Sequence, residues 1–189
     1  MSNQTPSASY LDLPDDLPVP IDDGAADHLI GLELPDISLL STSGAELKLA
    51  ALAGTTVIFC YPKSGVPGVP LPEGWDDIPG ARGCTPQACS YRDQFPELER
   101  LGVKVLGLST QKNDYQKELA DRIELPYEIL SDNELKFSSA MNLPTFVVGG
   151  ETLLKRLTMI IKAGVIIKVH YPVFPSNKDI DWVLSELSS

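Results

Sequence analysis

The residues of this chain best suited to chemistry are two cysteines five positions apart in Gly83-Cys-Thr-Pro-Gln-Ala-Cys89, directly after a stretch rich in glycine and proline. Thr85-Pro86 reads as the N-cap and first residue of a helix. Cys84 then stands at a helix start, where unpaired backbone N–H groups and the positive end of the helix dipole favour the thiolate, the only useful nucleophilic form. Two arginines are candidates to add permanent positive charge and N–H donors: Arg82, adjacent in sequence, and Arg156, at the mouth of an apolar run over residues 157–161. On an intact helix Cys89 is displaced from Cys84 by a rise of ~7.5 Å and a rotation of ~140°. The two sulfurs then point apart. A disulfide needs Cα atoms within about 4.4 to 6.8 Å, so the pair joins only if the first turns unwind. The neighbouring glycine-containing loop marks a segment of low local stability that allows this.

The other candidates are weaker. Cys60 lies inside an apolar run and reads as a simple core thiol, and Tyr61, at the end of that run, as an amphipathic rim residue. Arg92 and Asp93 read as solvated. His28 and His170 are far apart, neither has the spacing of a metal motif or a Cys-His dyad, and Cys84-x4-Cys89 has no partner pair for zinc. No metal or organic cofactor is expected.

The elements that must hold the cysteine pair follow from hydrophobic periodicity. Residues 1–27 are acidic, Pro/Ser-rich and aperiodic, and are read as a flexible or docked arm; residues 28–189 form the domain. It opens with residues 32–40, a Ser43-Gly44 turn and residues 46–49, an N-terminal β-hairpin. The near-continuous apolar run over residues 56–61, ended by Pro62, is expected as a strand buried on both faces of a mixed sheet. Residues 64–80 hold four prolines and four glycines in 17 positions, so neither helix nor ladder persists and a long loop insertion results. Ala88, Tyr91, Phe95, Leu98 and Leu101 then mark one helical face, with a kink expected at Pro96. Strand 103–109, helix 113–123, strand 127–130 and a helix opened by a capping box, Ser131-Asp-Asn-Glu134, come next. Strands 157–161 and 165–169, joined by a turn at residues 162–164, precede a last helix at about residues 177–187. This is an α/β pattern: a central mixed β-sheet flanked by helices.

Bulk properties set the setting. A chain of 189 residues with 43% hydrophobic content suffices for one domain with a sizeable core. A formal charge of -11 disfavours nucleic acid and anionic membrane as partners. No lysine or arginine precedes Lys48, so a secretory or transit leader is not expected, and the apolar runs are strand-length. A cytoplasmic protein is expected, in which three cysteines serve as redox, metal-binding or buried thiols.

Cys60-Tyr-Pro-Lys63, Gly83-Cys-Thr-Pro-Gln-Ala-Cys-Ser-Tyr-Arg-Asp93 and Val105-Leu-Gly-Leu-Ser-Thr110 together resemble the Q-type peroxiredoxins, also called bacterioferritin comigratory proteins. The likeness spans roughly residues 32–169. It implies a thioredoxin-like fold and a thiol-dependent peroxidase that reduces hydrogen peroxide and organic hydroperoxides. It further implies that Cys84 is the peroxidatic residue, Cys89 the resolving one and Arg156 the family's arginine at the head of a late strand. Thioredoxin or glutaredoxin is the implied reductant, and a monomer or homodimer is expected. One departure stands out: the family's Pro-x-x-x-Thr-x-x-Cys motif has Ala81 in place of threonine, with Pro62 far upstream. Ser64 and Thr85 are the candidates to replace that hydroxyl, and the loop carrying Trp75 is expected to act as a lid or substrate wall. The alternative is a non-catalytic thioredoxin-fold protein that senses redox state or binds partners through its loop and acidic tail. The intact Cys84/Cys89 pair and Arg156 favour the enzyme.

Overall fold

Two parallel strands buried on both faces, β3 (Thr55–Cys60) and β4 (Val103–Ser109), lie at the centre of a seven-stranded mixed sheet in the computed structural model, which describes residues 11–189. Outward from β3 run β8 (Leu157–Lys162) and β9 (Val165–His170), both antiparallel to their neighbours. On the other side β5 (Glu128–Ser131) is parallel to β4, and the hairpin of β1 (Ser38–Ser41) and β2 (Glu46–Lys48) adds antiparallel to β5. The spatial order is β2-β1-β5-β4-β3-β8-β9. A mixed sheet flanked by helices with an N-terminal hairpin is the expected fold, and it is the one found.

The period-two alternation of β3 divides the core. Ile58 and Cys60 face a cluster that includes Leu106, Leu108 and Phe137, whereas Val57, Phe59 and Tyr61 face the helices on the opposite side. Those helices are α1 (Cys84–Asp93), α2 (Phe95–Arg100), α3 (Asn113–Arg122) and α5 (Asp179–Leu187). Tyr91 stacks on Phe59 at a centroid distance of 4.4 Å, which fastens α1 to the central strand. The kink expected at Pro96 is a break at Gln94, because a proline there has no N–H for, and no room beside, the carbonyl four residues earlier.

Two expectations need correction. The short helix α4 (Lys136–Ala140) does not open at Ser131, which is still paired within β5 and donates its hydroxyl to the Gln111 carbonyl at 2.6 Å. Asp132 is the capping side chain, accepting the N–H groups of Phe137 and Ser138 at 3.0 and 2.8 Å. Residues 145–154, for which no element was expected, form a separate hairpin of β6 (Thr145–Val148) and β7 (Glu151–Leu154), turning at Gly149-Gly150 with both glycines at positive φ. Among the described residues no helix is long and apolar enough to cross a membrane.

Candidate active site

The site is built on the first turn of α1. Gly83 is its N-cap, at φ +111°, and a Cβ there would lie 2.2 Å from Ser176 Oγ and 2.9 Å from Leu13 Cδ2, so only glycine fits. Ser176 Oγ donates to the Gly83 carbonyl at 2.8 Å and locks the entry. The helix therefore starts at Cys84 rather than with Thr85 as N-cap, and Pro86 stands in the first turn, where a missing N–H costs nothing.

Cys84 is 4% exposed and Arg156, just before β8, is 3% exposed. Arg156 Nη2 donates to Cys84 Sγ at 3.2 Å. The same guanidinium donates to the carbonyls of Gly80, Ala81 and Arg82 at 3.3, 3.0 and 3.4 Å and to Gln87 Oε1. The planar fork is thus satisfied on every side, an arrangement that a point-charge ammonium could not reproduce. In the protonated state the Cys84 thiol faces the Ala81 carbonyl at 3.7 Å. Arg82, the other candidate cation, is instead held by a bidentate pair with Asp76, both contacts at 2.9 Å, so its charge is neutralised away from the sulfur.

The loop over residues 64–80 covers this centre. A small cavity of about 20 Å³, room for about one water-sized molecule, is lined by Cys84, Thr85, Lys63, Leu71 and Trp75 among others. Trp75 is buried against Phe146 of the β6–β7 hairpin and shares a third apolar cluster with Ala81 and Leu153. Lys63 pairs with Glu151 of the same hairpin. Of the two candidates for the missing hydroxyl, Thr85 lines the cavity, whereas Ser64 is committed to Gln111 Oε1 through both its hydroxyl and its N–H, at 3.1 and 2.9 Å. On its other side Arg156 borders an apolar groove of about 300 Å³ walled by Pro62, Ile78, Pro79, Phe146 and Val173.

Cys89 is buried on the same unbroken helix, and all three cysteines are free thiols. Burial pushes the Cys89 thiol up, with the nearby Arg92 charge opposing it. Cys60 is fully buried on the other face of the sheet, as a core thiol should be, and burial raises it strongly. Tyr61 is not the rim residue expected: it is fully buried, its phenol is pushed up by burial, and the charges of Cys84 and Arg156 both act on it. Arg92 pairs with Asp93 and donates to the Ile123 carbonyl at 2.9 Å.

Two buried polar residues at this site were not anticipated. Gln87 lies three positions after Cys84 on one helix face, a spacing that the sequence displays. Asp179, at the start of α5, is 95 positions away and has no local signal; it accepts from Gln87 Nε2 at 2.9 Å.

Comparison with known proteins converges on one family. The Redoxin family model matches residues 30–184. A chloroplastic peroxiredoxin Q of Sedum lineare is 29% identical over 157 residues, covering 82% of this chain and 75% of the relative. Peroxiredoxin bcp1 of Schizosaccharomyces pombe is 33% identical over 105 residues, covering 54% of this chain and 46% of its own length. Among solved structures, peroxidoxin BcpB from Mycobacterium tuberculosis superposes with a TM-score of 0.68 at 23% identity, over 84% of this chain and 96% of that one. The bacterioferritin comigratory protein of Xanthomonas campestris does so with a TM-score of 0.66 at 23% identity, over 83% and 96%. These two structures share its fold. With the family model covering most of the domain and peroxiredoxin Q and bcp relatives aligned along it, the chain belongs to the redoxin family and, within it, to the Q-type peroxiredoxins, which are thiol peroxidases.

Proposed function

We propose that this chain reduces hydrogen peroxide and organic hydroperoxides through Cys84, with Cys89 as the resolving thiol and Arg156 as the group that holds both the thiolate and the peroxide. The observation that carries the reading is the buried Arg156 Nη2 donor 3.2 Å from Cys84 Sγ at the first residue of a helix. A charge-assisted donor and a helix N-terminus both stabilise the anion that must attack. The thiolate attacks the distal peroxide oxygen, the O–O bond breaks, and the departing hydroxide or alkoxide takes up a proton to leave as water or an alcohol. Cys84 is left as a sulfenic acid. The Arg156 Nη2 group that donates to Cys84 Sγ lies beside the reacting oxygens, and its charge stabilises the negative charge that moves to the departing oxygen. The apolar groove beside Arg156 supports organic as well as inorganic peroxides.

Cys89 then condenses with the sulfenic acid, releasing water and forming a disulfide. Both sulfurs sit on one helix, so the first turns of α1 must unwind before that bond forms. A dithiol reductant of the thioredoxin or glutaredoxin class returns the pair to thiols by exchange. The test is peroxide consumption coupled to thioredoxin, with wild type, Cys84→Ser and Cys89→Ser. Loss of turnover in both variants, with a single fast oxidation step remaining in Cys89→Ser, is the expected result. Full activity of Cys84→Ser sinks the reading, and sustained thioredoxin-linked turnover by Cys89→Ser sinks the resolving assignment.

A further inference from the structure

Asp179 is a fully buried carboxylate with four partners and no contact with Cys84 or with the cavity beside it. Its Oδ2 accepts from Gln87 Nε2, Tyr91 Oη and Thr158 Oγ1 at 2.9, 2.8 and 2.6 Å. Its Oδ1 meets His170 Nδ1 at 2.8 Å, and that imidazole, partly open to solvent, stacks on Trp182 at 4.7 Å. A buried charge is expensive unless paired and hydrogen-bonded, and four converging partners from α1, β8 and β9 are far more than the start of one terminal helix needs.

The three donors on Oδ2 leave the Gln87 amide no freedom. Its nitrogen must face Asp179, so its Oε1 must face the other way, where it accepts from Arg156 Nη1. An unanchored glutamine can flip by 180° and present N–H₂ to a guanidinium, which is repulsive. The geometry points to Asp179 as a positioning residue for the thiol centre: it fixes the Gln87 amide, which fixes the Arg156 fork, which aims Nη2 at Cys84 Sγ. His170 supplies the partner at the solvent side of the chain of contacts. The inference rests on the peroxidase reading for its purpose, but its geometry concerns any reaction of Cys84.

The test uses the full chain carrying Cys89→Ser, so that Cys84 is the reacting thiol. Parent, Asp179→Asn, Gln87→Met and the double variant are compared at one pH for hydrogen peroxide oxidation and for iodoacetamide alkylation of Cys84. Each single variant should slow both reactions about tenfold, the worth of one charge-assisted hydrogen bond. The double variant should be no slower than Gln87→Met alone, because Asp179 acts through Gln87. An Asp179→Asn protein that reacts within a factor of two of the parent overturns the inference, as does a double variant showing the product of the two single losses. If Asp179→Asn does not fold, Thr158→Val, which removes one donor from Oδ2 at equal volume, replaces it in the same cycle under the same criteria. A parent that does not reduce peroxide refutes the peroxidase reading, while the iodoacetamide comparison still decides the role of Asp179.

Discussion

Replacing Arg156 by lysine separates charge from geometry at the thiol centre. The guanidinium serves five acceptors at once: three consecutive carbonyls at residues 80–82, Gln87 Oε1 and Cys84 Sγ. A lysine ammonium keeps the unit charge but has three donors on a flexible stem. Competition from the Ala81 carbonyl, the shortest of the backbone contacts at 3.0 Å, draws it away from the sulfur. The thiolate then loses a charge-assisted hydrogen bond worth roughly 1.5 to 3 kcal/mol. At a factor of ten per 1.36 kcal/mol this is a roughly 10- to 150-fold slower attack on peroxide. The assay is stopped-flow oxidation of Cys84 by hydrogen peroxide in the Cys89→Ser background, followed by the fluorescence of Trp75 beside the cavity. Urea unfolding of the same protein separates a local effect from a global one. A folded Arg156→Lys enzyme within threefold of the parent refutes the claim that the fork geometry, rather than mere positive charge, prepares the thiolate.

Further outcomes follow from the helix that carries the cysteines and from residues 11–27. Gly83→Ala places a methyl group 2.2 Å from Ser176 Oγ at a φ of +111°, and should cost at least about 1 to 3 kcal/mol in denaturant unfolding. If the Cys84–Cys89 disulfide needs unwinding, hydrogen exchange over residues 83–92 should be markedly faster in the oxidised protein, and equal protection in both redox states contradicts the pairing. Asp23 bonds to Lys155 and to the Tyr171 hydroxyl, both at 2.8 Å, and the lysine contact, then the tyrosine, lowers its carboxyl from 3.8 to about 2. A depressed carboxyl stabilises the fold above its unfolded value and loses that contribution as pH falls through the folded one. Pepsin cleavage near residues 11–27 should therefore rise between about pH 4 and about pH 2, and Asp23→Asn should already be cleaved at pH 4.

The parts legible from sequence are those whose signal is local. Runs such as Thr56-Val-Ile-Phe-Cys-Tyr61 announce β3 because a strand covered on both faces has no polar alternation to confuse it. Thr85-Pro86 announces a helix start beside Cys84, although the cap itself is Gly83, two positions before the threonine. The β6–β7 hairpin went unseen although Gly149-Gly150 is a two-residue turn signal, since the half-exposed strands flanking it, one beginning just after Pro144, carry weak β patterning. Ser131 to Glu134 resembles a capping box, but strand pairing had already claimed Ser131. Within the site, Gln87 lay within reach of helical spacing, whereas Asp179 and His170 reach α1 only through the tertiary packing of β9 and α5. Arg156 is a candidate from its place at the mouth of an apolar run, and the family resemblance strengthens it; nothing in its immediate neighbours points at Cys84.

Ala81 gives the loop over residues 64–80 a thermodynamic meaning. Where the family resemblance implies a hydroxyl, this chain places a methyl group that packs with Trp75 and Leu153, so the small residue and the long loop form one unit. That unit, with the Lys63–Glu151 and Arg82–Asp76 pairs, closes over Cys84, a residue only 4% exposed. A closed majority state makes the observed rate constant the product of an intrinsic reactivity and the fraction of molecules that are open, and each 1.4 kcal/mol of closure lowers it about tenfold. Sequence changes far from the sulfur, in the loop or in the β6–β7 hairpin, would then tune peroxide reactivity through that fraction alone, leaving the chemistry of the thiolate untouched.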